Sequence, residues 1–301
     1  MKKLIFIFLD GVGIGEADKS KNPFFSYDFK FLSNYFNEMP SLQNPRMESG
    51  AVSVFPVDAT LGIDGLPQSG TGQVSLLCGF NGAEFIGKHF GPFPYSLHHE
   101  EIRSKNLFHV LTEQGEKVDF VNAYPKLFFD YLNKQKRRIG TFALSALYSG
   151  IRLKGLEELR SGKALSNDIT NIRWQTRLNY KLKTIQPATA AKRLLKIADK
   201  NELTVFEYFL TDHIGHKRIT ENLNDIYKEL DEFLVYILNN TPPETGVLII
   251  SDHGNFEDLS VKTHTFNPVF CMTKGVPTEI FKNNVKSLID VKWAILELLK
   301  N

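Results

Sequence analysis

The sequence predicts an α/β fold: a mostly parallel sheet sandwiched by helices, with a small inserted cap. Apolar runs of strand length alternate with segments of helical period. Residues 85–186 break that alternation, being richer in turns and basic residues and poorer in clean strand runs. The expected division is therefore a core of residues 1–84 and 187–301 around a cap of 85–186. With 42% hydrophobic and 12% aromatic residues in 301, the chain can bury a sizeable core.

The first element is the run Leu4–Leu9 in "MKKLIFIFLDG". Two lysines and six apolar residues imitate a signal peptide, but the run is short, Asp10 closes it and no small-residue cleavage site follows. It reads as a buried strand. Val118–Val121, Val205–Leu210, Val247–Ile250 and Val269–Met272 read the same way. Helical spacing is clearest in Leu223, Ile226, Tyr227, Leu230, Phe233, Leu234, Ile237 and Leu238. A last helix opens at Ser287, with Asp290 three residues on, and is expected to bury Ile289, Trp293, Leu296 and Leu299.

Charge excludes some partners. With 36 Lys+Arg against 34 Asp+Glu, the net charge of +2 offers no field for nucleic acid or an anionic membrane surface. The cluster Lys134, Lys136, Arg137 and Arg138 reads as a solvated face. No stretch reaches the roughly 18 apolar residues of a membrane span. Cys78 and Cys271 lie in apolar surroundings and read as reduced core thiols of a cytoplasmic protein. No sequence feature assigns an oligomeric state.

The acidic residues fall where chemistry is expected. Three apolar runs lead into aspartates: "LIFIFLD" into Asp10, "VFEYFLTD" into Asp212 and "VLIISD" into Asp252. The carboxyl ends of strands form the ligand crevice of an open α/β sheet. Crowded carboxylates repel and resist burial, and a divalent cation neutralises them. Histidines accompany them: "DHIGH" adds His213 and His216, "SDHGN" adds His253, and "KTHTFNPV" adds His264. Imidazoles mixed with carboxylates suit zinc or manganese better than calcium.

The stretch "LPQSGTGQVSLLCG", residues 66–79, places the hydroxyls of Ser69 and Thr71 at a helix start. Such a hydroxyl is either an N-cap or a nucleophile beside amides that accept an anion. Gly70 and Gly72 are expected to let those amides come close to the anion. "GVGIG" at 11–15 misplaces the third glycine of a dinucleotide loop.

In "FLDGVGIG", "TDHIGH", "DHGNFED" and "THTFNPV", the sequence resembles the alkaline phosphatase superfamily, and within it the cofactor-independent phosphoglycerate mutase and phosphopentomutase branch. The resemblance implies two divalent metal ions. Asp212, His216 and His264 would hold one, and Asp10, Asp252, His253 and the Ser69 oxygen the other. It places the nucleophile ten residues before Gly79, at Ser69, with Thr71 as the alternative. Gln68, Ser69 and Gly72 also align with the mutase pattern Asn-Ser-x-x-Gly. In-line attack on phosphorus and a phosphoserine intermediate are implied, so the expected partner is a small phosphorylated substrate. The expected activity is a phosphatase-like hydrolase. A phosphomutase, a phosphodiesterase and a non-catalytic metal-binding module are the alternatives. "SGTGQ" lacks the Pro or Ala and the Arg that follow a sulfatase nucleophile. The cap is much shorter than the mutase's second domain, and Lys88, His89 and Arg173 are its candidate contacts to substrate.

Overall fold

The computed structural model describes residues 3–134, 138–276 and 278–300, so Lys136 and Arg137 of the basic cluster lie outside the described residues. Seven strands form one mixed sheet: β1 Lys3–Leu9, β2 Met47–Ser49, β3 Val52–Val57, β4 Val118–Phe120, β5 Leu203–Tyr208, β6 Thr245–Ile250 and β7 Val269–Lys274. Their spatial order is β2-β3-β7-β6-β1-β5-β4. Strands β4, β5, β1 and β6 are mutually parallel, while β7, β3 and β2 each pair antiparallel with a neighbour.

The run KLIFIFL becomes an interior strand, between β6 and β5, because it is apolar on both faces. Leu4, Phe6 and Phe8 enter one core layer, and Ile5, Ile7 and Leu9 enter the other. Helices Ser69–Cys78, Leu107–Glu113, Thr141–Tyr148 and Leu288–Lys300 close the first face, and Pro187–Ala198 and Leu223–Asn240 the second. The predicted sandwich is present.

Residues 85–186 do not stand apart as a whole. β4 extends the sheet beyond β5, pairing Val118 with Leu203 and Phe120 with Val205. Phe142 packs on Phe8 with ring centroids 4.6 Å apart. The sequence boundary at residue 84, drawn on turn density, thus cuts through the main core. Only the later part forms a small cluster of its own, around Ala123, Leu159, Ala164 and Trp174.

The last helix also turns differently from expectation. It buries Leu288, Val291, Ile295 and Leu298 as well as Leu296 and Leu299, whereas Trp293 is 56% exposed. The Trp293 indole N–H donates to the Gly79 carbonyl at 3.1 Å, and Lys292 Nζ donates to the Cys78 carbonyl at 3.2 Å. Gly79 ends the Ser69 helix at φ +70°, and a Cβ there would lie 2.7 Å from the indole nitrogen.

Candidate metal centre

The carboxyl edge of the parallel strands gathers the predicted residues. Asp10 follows β1, and Asp252 and His253 follow β6. Asp212 corrects the expectation of a third strand end: β5 stops at Tyr208, and Asp212 lies on the short helix Leu210–Gly215. A helical turn sets Asp212 and His216 four residues apart on one face, with His216 Nε2 3.2 Å from Asp212 Oδ1. His264 arrives from the loop before β7, its Nε2 3.7 Å from Asp212 Oδ1 and 3.1 Å from His216 Nε2. His253 Nε2 lies 3.3 Å from Asp10 Oδ1 and 3.7 Å from Asp252 Oδ1. The His253 and His264 rings stack at 3.7 Å, joining the two groups. Asp212, His253 and His264 also converge as a set, so His253 is within reach of both groups.

Each ring is oriented from behind. His216 Nδ1 meets the Lys262 carbonyl at 2.7 Å, His264 Nδ1 the Pro67 carbonyl at 2.6 Å, and His253 Nδ1 the Gly254 carbonyl at 3.3 Å. Such contacts fix the tautomer that presents Nε2 to a metal. Gln73 Nε2 donates to Asp252 Oδ2 at 3.1 Å, and Asn255 Nδ2 to Asp212 Oδ1 at 2.9 Å. Asp10 Oδ1 and Asp252 Oδ1 are buried with no hydrogen-bond partner, an arrangement that costs free energy unless a cation neutralises it. The donor set therefore fits divalent metal.

The electrostatics agree. Burial, then repulsion from Asp252 and Asp212, holds the Asp10 carboxyl well above its usual range, and burial raises Asp252 too. Burial opposes charge on His253, but Asp252 and Asp10 outweigh it and push the imidazole up to about 10. Burial, reinforced by His253, pushes His264 down to about 3. His213 packs on Phe209 outside this set, and burial pushes it down to about 4.

Ser69 opens its helix beside the metal groups, with Oγ 2.9 Å from His253 Nε2. Thr71 faces elsewhere: its hydroxyl donates to the Gln68 carbonyl at 3.2 Å and accepts from the Phe90 N–H at 3.3 Å. The Thr71 amide is occupied by the Phe90 carbonyl at 2.9 Å. The glycines serve packing more than anion approach. A Cβ on Gly70 would lie 2.2 Å from the Phe93 carbonyl oxygen, and one on Gly72 2.9 Å from that of Asp252.

A cavity of about 300 Å³ opens onto Ser69, Asp212, His216 and His264, with Arg218 and Lys262 in its wall. Arg218 Nη1 stands 3.9 Å from Asp212 Oδ2. The cap candidates lie elsewhere. Lys88 is exposed, with its ammonium 5.9 Å over the Tyr95 ring. His89 Nε2 faces the Thr60 and Ile63 carbonyls at 3.0 and 3.2 Å, which holds that turn. Arg173 lines neighbouring grooves.

The sequence reading did not identify Glu257. It is fully buried and accepts from the Gly13 and Asn255 amides at 2.8 Å each, from Asn267 Nδ2 at 3.1 Å and from the Thr265 hydroxyl. It ties the loop after β1 to both histidine-bearing loops. The glycines of "GVGIG" make room for it: a Cβ on Gly13 would lie 2.5 Å from Glu257 Oε1, and one on Gly15 2.8 Å from its Cγ. That pairing of small residues with a distant "NFED" acid was the only signal available.

Comparison with known proteins gives the same picture. The family model for the metalloenzyme superfamily matches residues 2–301. The PH0037 protein from Pyrococcus horikoshii superposes with a TM-score of 0.57 at 13% identity, over 99% of this chain and 97% of that one. The C-terminal periplasmic domain of EcEptC from Escherichia coli, in complex with Zn, gives a TM-score of 0.51 at 10% identity, over 99% and 82%. Alkaline phosphatase from the Antarctic bacterium TAB5 gives 0.48 at 12%, over 99% and 98%. No curated protein matches the chain in sequence. Carboxylates and imidazoles converging at the carboxyl edge of this sheet and a family match over nearly the whole length lead to one conclusion: the chain belongs to the metalloenzyme superfamily.

Proposed function

We propose that the chain is a metal-dependent phosphoesterase, acting on a small phosphate ester through a phosphoserine at Ser69 with two divalent cations, zinc or manganese. The observation that carries this reading is the Ser69 hydroxyl, 2.9 Å from His253 Nε2, where three aspartates and three histidines meet around two orphaned carboxylate oxygens. Asp10, Asp252, His253 and Ser69 Oγ would hold one cation, and Asp212, His216 and His264 the other. When bound, the cations favour ionisation of Ser69 and offset charge on the phosphoryl oxygens.

The chain's own groups supply the rest. The cavity admits a phosphoryl group, and Arg218 and Lys262 in its wall offer cationic donors to the oxygens. Ser69 Oγ attacks phosphorus in line, its proton passing to solvent. The bond between phosphorus and the ester oxygen breaks, and the alcohol leaves with a proton. Water then attacks the phosphoserine, which releases phosphate and restores the Ser69 hydroxyl. The Thr71 hydroxyl, engaged with Gln68 and Phe90, supports Ser69 as the nucleophile.

The test is intact-protein mass after zinc- or manganese-loaded enzyme is quenched during turnover of p-nitrophenyl phosphate and its bis ester. A phosphoryl adduct is expected in wild type and Thr71→Ala and is lost in Ser69→Ala. Two bound metals with neither adduct nor nitrophenol release would favour the non-catalytic metal-binding module.

A further inference from the structure

A second groove, of about 680 Å³, neighbours the metal cavity along the chain, with Phe93 in its wall following Pro92 in the wall of the cavity. Phe93 lines it, and the Phe93 carbonyl oxygen lies 2.2 Å from where a Cβ on Gly70 would stand, one residue from Ser69. On the other side Phe209 lines it, three residues before Asp212, and the His213 N–H donates to the Phe209 carbonyl. The groove thus adjoins the candidate site at two points along the chain, Pro92–Phe93 and Phe209–Asp212, while sharing no lining residue with its cavity.

Its chemistry is unlike that of the metal cavity. Tyr124 and Phe128 stack at 4.1 Å in its wall, and the buried Trp174 lines it as well. Phe128 belongs to the helix Lys126–Asn133, an amphipathic helix that buries no residue fully, and Leu127 on it is 72% exposed. Three arginines complete the lining: Arg138, Arg173 and Arg177. Among the described residues none of them forms an ion pair; Asp168 takes a hydrogen bond from the Arg173 backbone N–H at 2.5 Å. Burial, and then the neighbouring Arg177, hold the Arg173 guanidinium below its ordinary value. Asp168 attracts the Arg173 guanidinium without a close ion pair, and guanidinium groups beside aromatic faces favour a planar ring that carries negative charge.

Resting on the phosphoesterase reading, we infer that this groove receives the body of the substrate, a planar aromatic group bearing a second negative charge, esterified to the phosphate at Ser69. The groove's position beside Gly70 and Asp212 directs that body away from the metal centre. Flat aromatic walls select it over a flexible alkyl chain, and the arginines over a neutral ring.

The test is calorimetric binding to zinc-loaded Ser69→Ala protein of methyl phosphate, decyl phosphate, 2-naphthyl phosphate and 6-sulfonato-2-naphthyl phosphate. The naphthyl ester should bind about tenfold tighter than the methyl ester, and the sulfonate should add about tenfold more. In Ser69→Ala/Arg173→Gln/Arg177→Gln protein of unchanged zinc content, the sulfonate's advantage should vanish, and Phe128→Ala should narrow the naphthyl preference. Equal affinity for methyl and naphthyl esters, tighter binding of decyl phosphate, or an undiminished sulfonate preference in the arginine variant would overturn the assignment. Naphthalene-2-sulfonate binding to metal-free protein reads the groove alone. Binding there without turnover of any aryl phosphate would overturn the phosphoesterase reading and leave an aromatic-anion groove. Turnover of aryl phosphates without such binding would overturn the groove.

Discussion

Replacing Glu257 by glutamine removes one charge from the junction of the three site loops while keeping its shape. The carboxylate accepts two backbone N–H groups at Oε2 and two side-chain donors at Oε1. Backbone donors cannot turn away, so the glutamine NH2 must take the Oε1 side, where the Thr265 hydroxyl rotates and the Asn267 amide flips to accept it. All four contacts survive in neutral form. A hydrogen bond to a charged group contributes about 1 kcal/mol more than a neutral one, so losing that margin costs roughly 2–4 kcal/mol at a fully buried site. With an unfolding entropy of about 2.1 cal/mol/K per residue, that lowers Tm by about 3–6 °C for 301 residues. Because the same carboxylate positions the loops carrying Asp252, His253 and His264, zinc affinity should fall about tenfold. Scanning calorimetry of metal-free protein and competition titration against a chromophoric chelator read the two effects separately. An unchanged Tm together with unchanged zinc affinity would refute the view of Glu257 as the tie between these loops.

Asp212→Ala should lose one metal ion by elemental analysis while its circular dichroism stays native, because the residue sits at the sheet edge outside the main cores. Retention of two ions would overturn the ligand assignment. Gly215→Ala should weaken zinc binding about tenfold, since its Cβ would lie 2.2 Å from Asn255 Oδ1 and displace the amide that donates to Asp212. Burial pushes the Cys78 thiol up to about 12 and raises Cys271 well above its ordinary value. Neither thiolate forms appreciably at pH 8, so Ellman's reagent should find no reactive thiol in native protein and both thiols after denaturation.

The parts of this fold legible in sequence are those whose residues carry one meaning. Strands β1, β6 and β7 bury both faces and read as apolar runs, and β5 reads the same way despite Thr204 and Glu207. β3 was missed because "VSVFPV" contains a proline and a serine. The structure tolerates Pro56 because β2 pairs only with Val52–Val54, so the β2 side of the strand is free at that point. In the last helix Leu296 and Leu299 are buried as the sequence predicts, and the exception is Trp293, whose indole covers the end of the Ser69 helix instead of entering the core. At the site, the aspartates and histidines were legible because crowded carboxylates beside imidazoles call for a cation. Gln73, Asn255, Glu257, Arg218 and Lys262 were not, since nothing local distinguishes them from surface polar residues. Their roles exist only once separate segments have met, Gln73 with Asp252, Glu257 with Gly13 and Asn255 with Asp212.

The interior place of β1 sets the order in which this molecule can assemble. Its two neighbours in the sheet, β5 and β6, begin at residues 203 and 245. On a ribosome adding roughly 5–20 residues per second, KLIFIFL waits about 10–40 s before a partner strand exists. During that interval a seven-residue segment with bare edges and two sticky faces is exposed to every other nascent chain nearby. Recovery of folded protein should therefore depend on translation speed and on chaperones that shield the amino-terminal end, rather than on the final stability of the sheet.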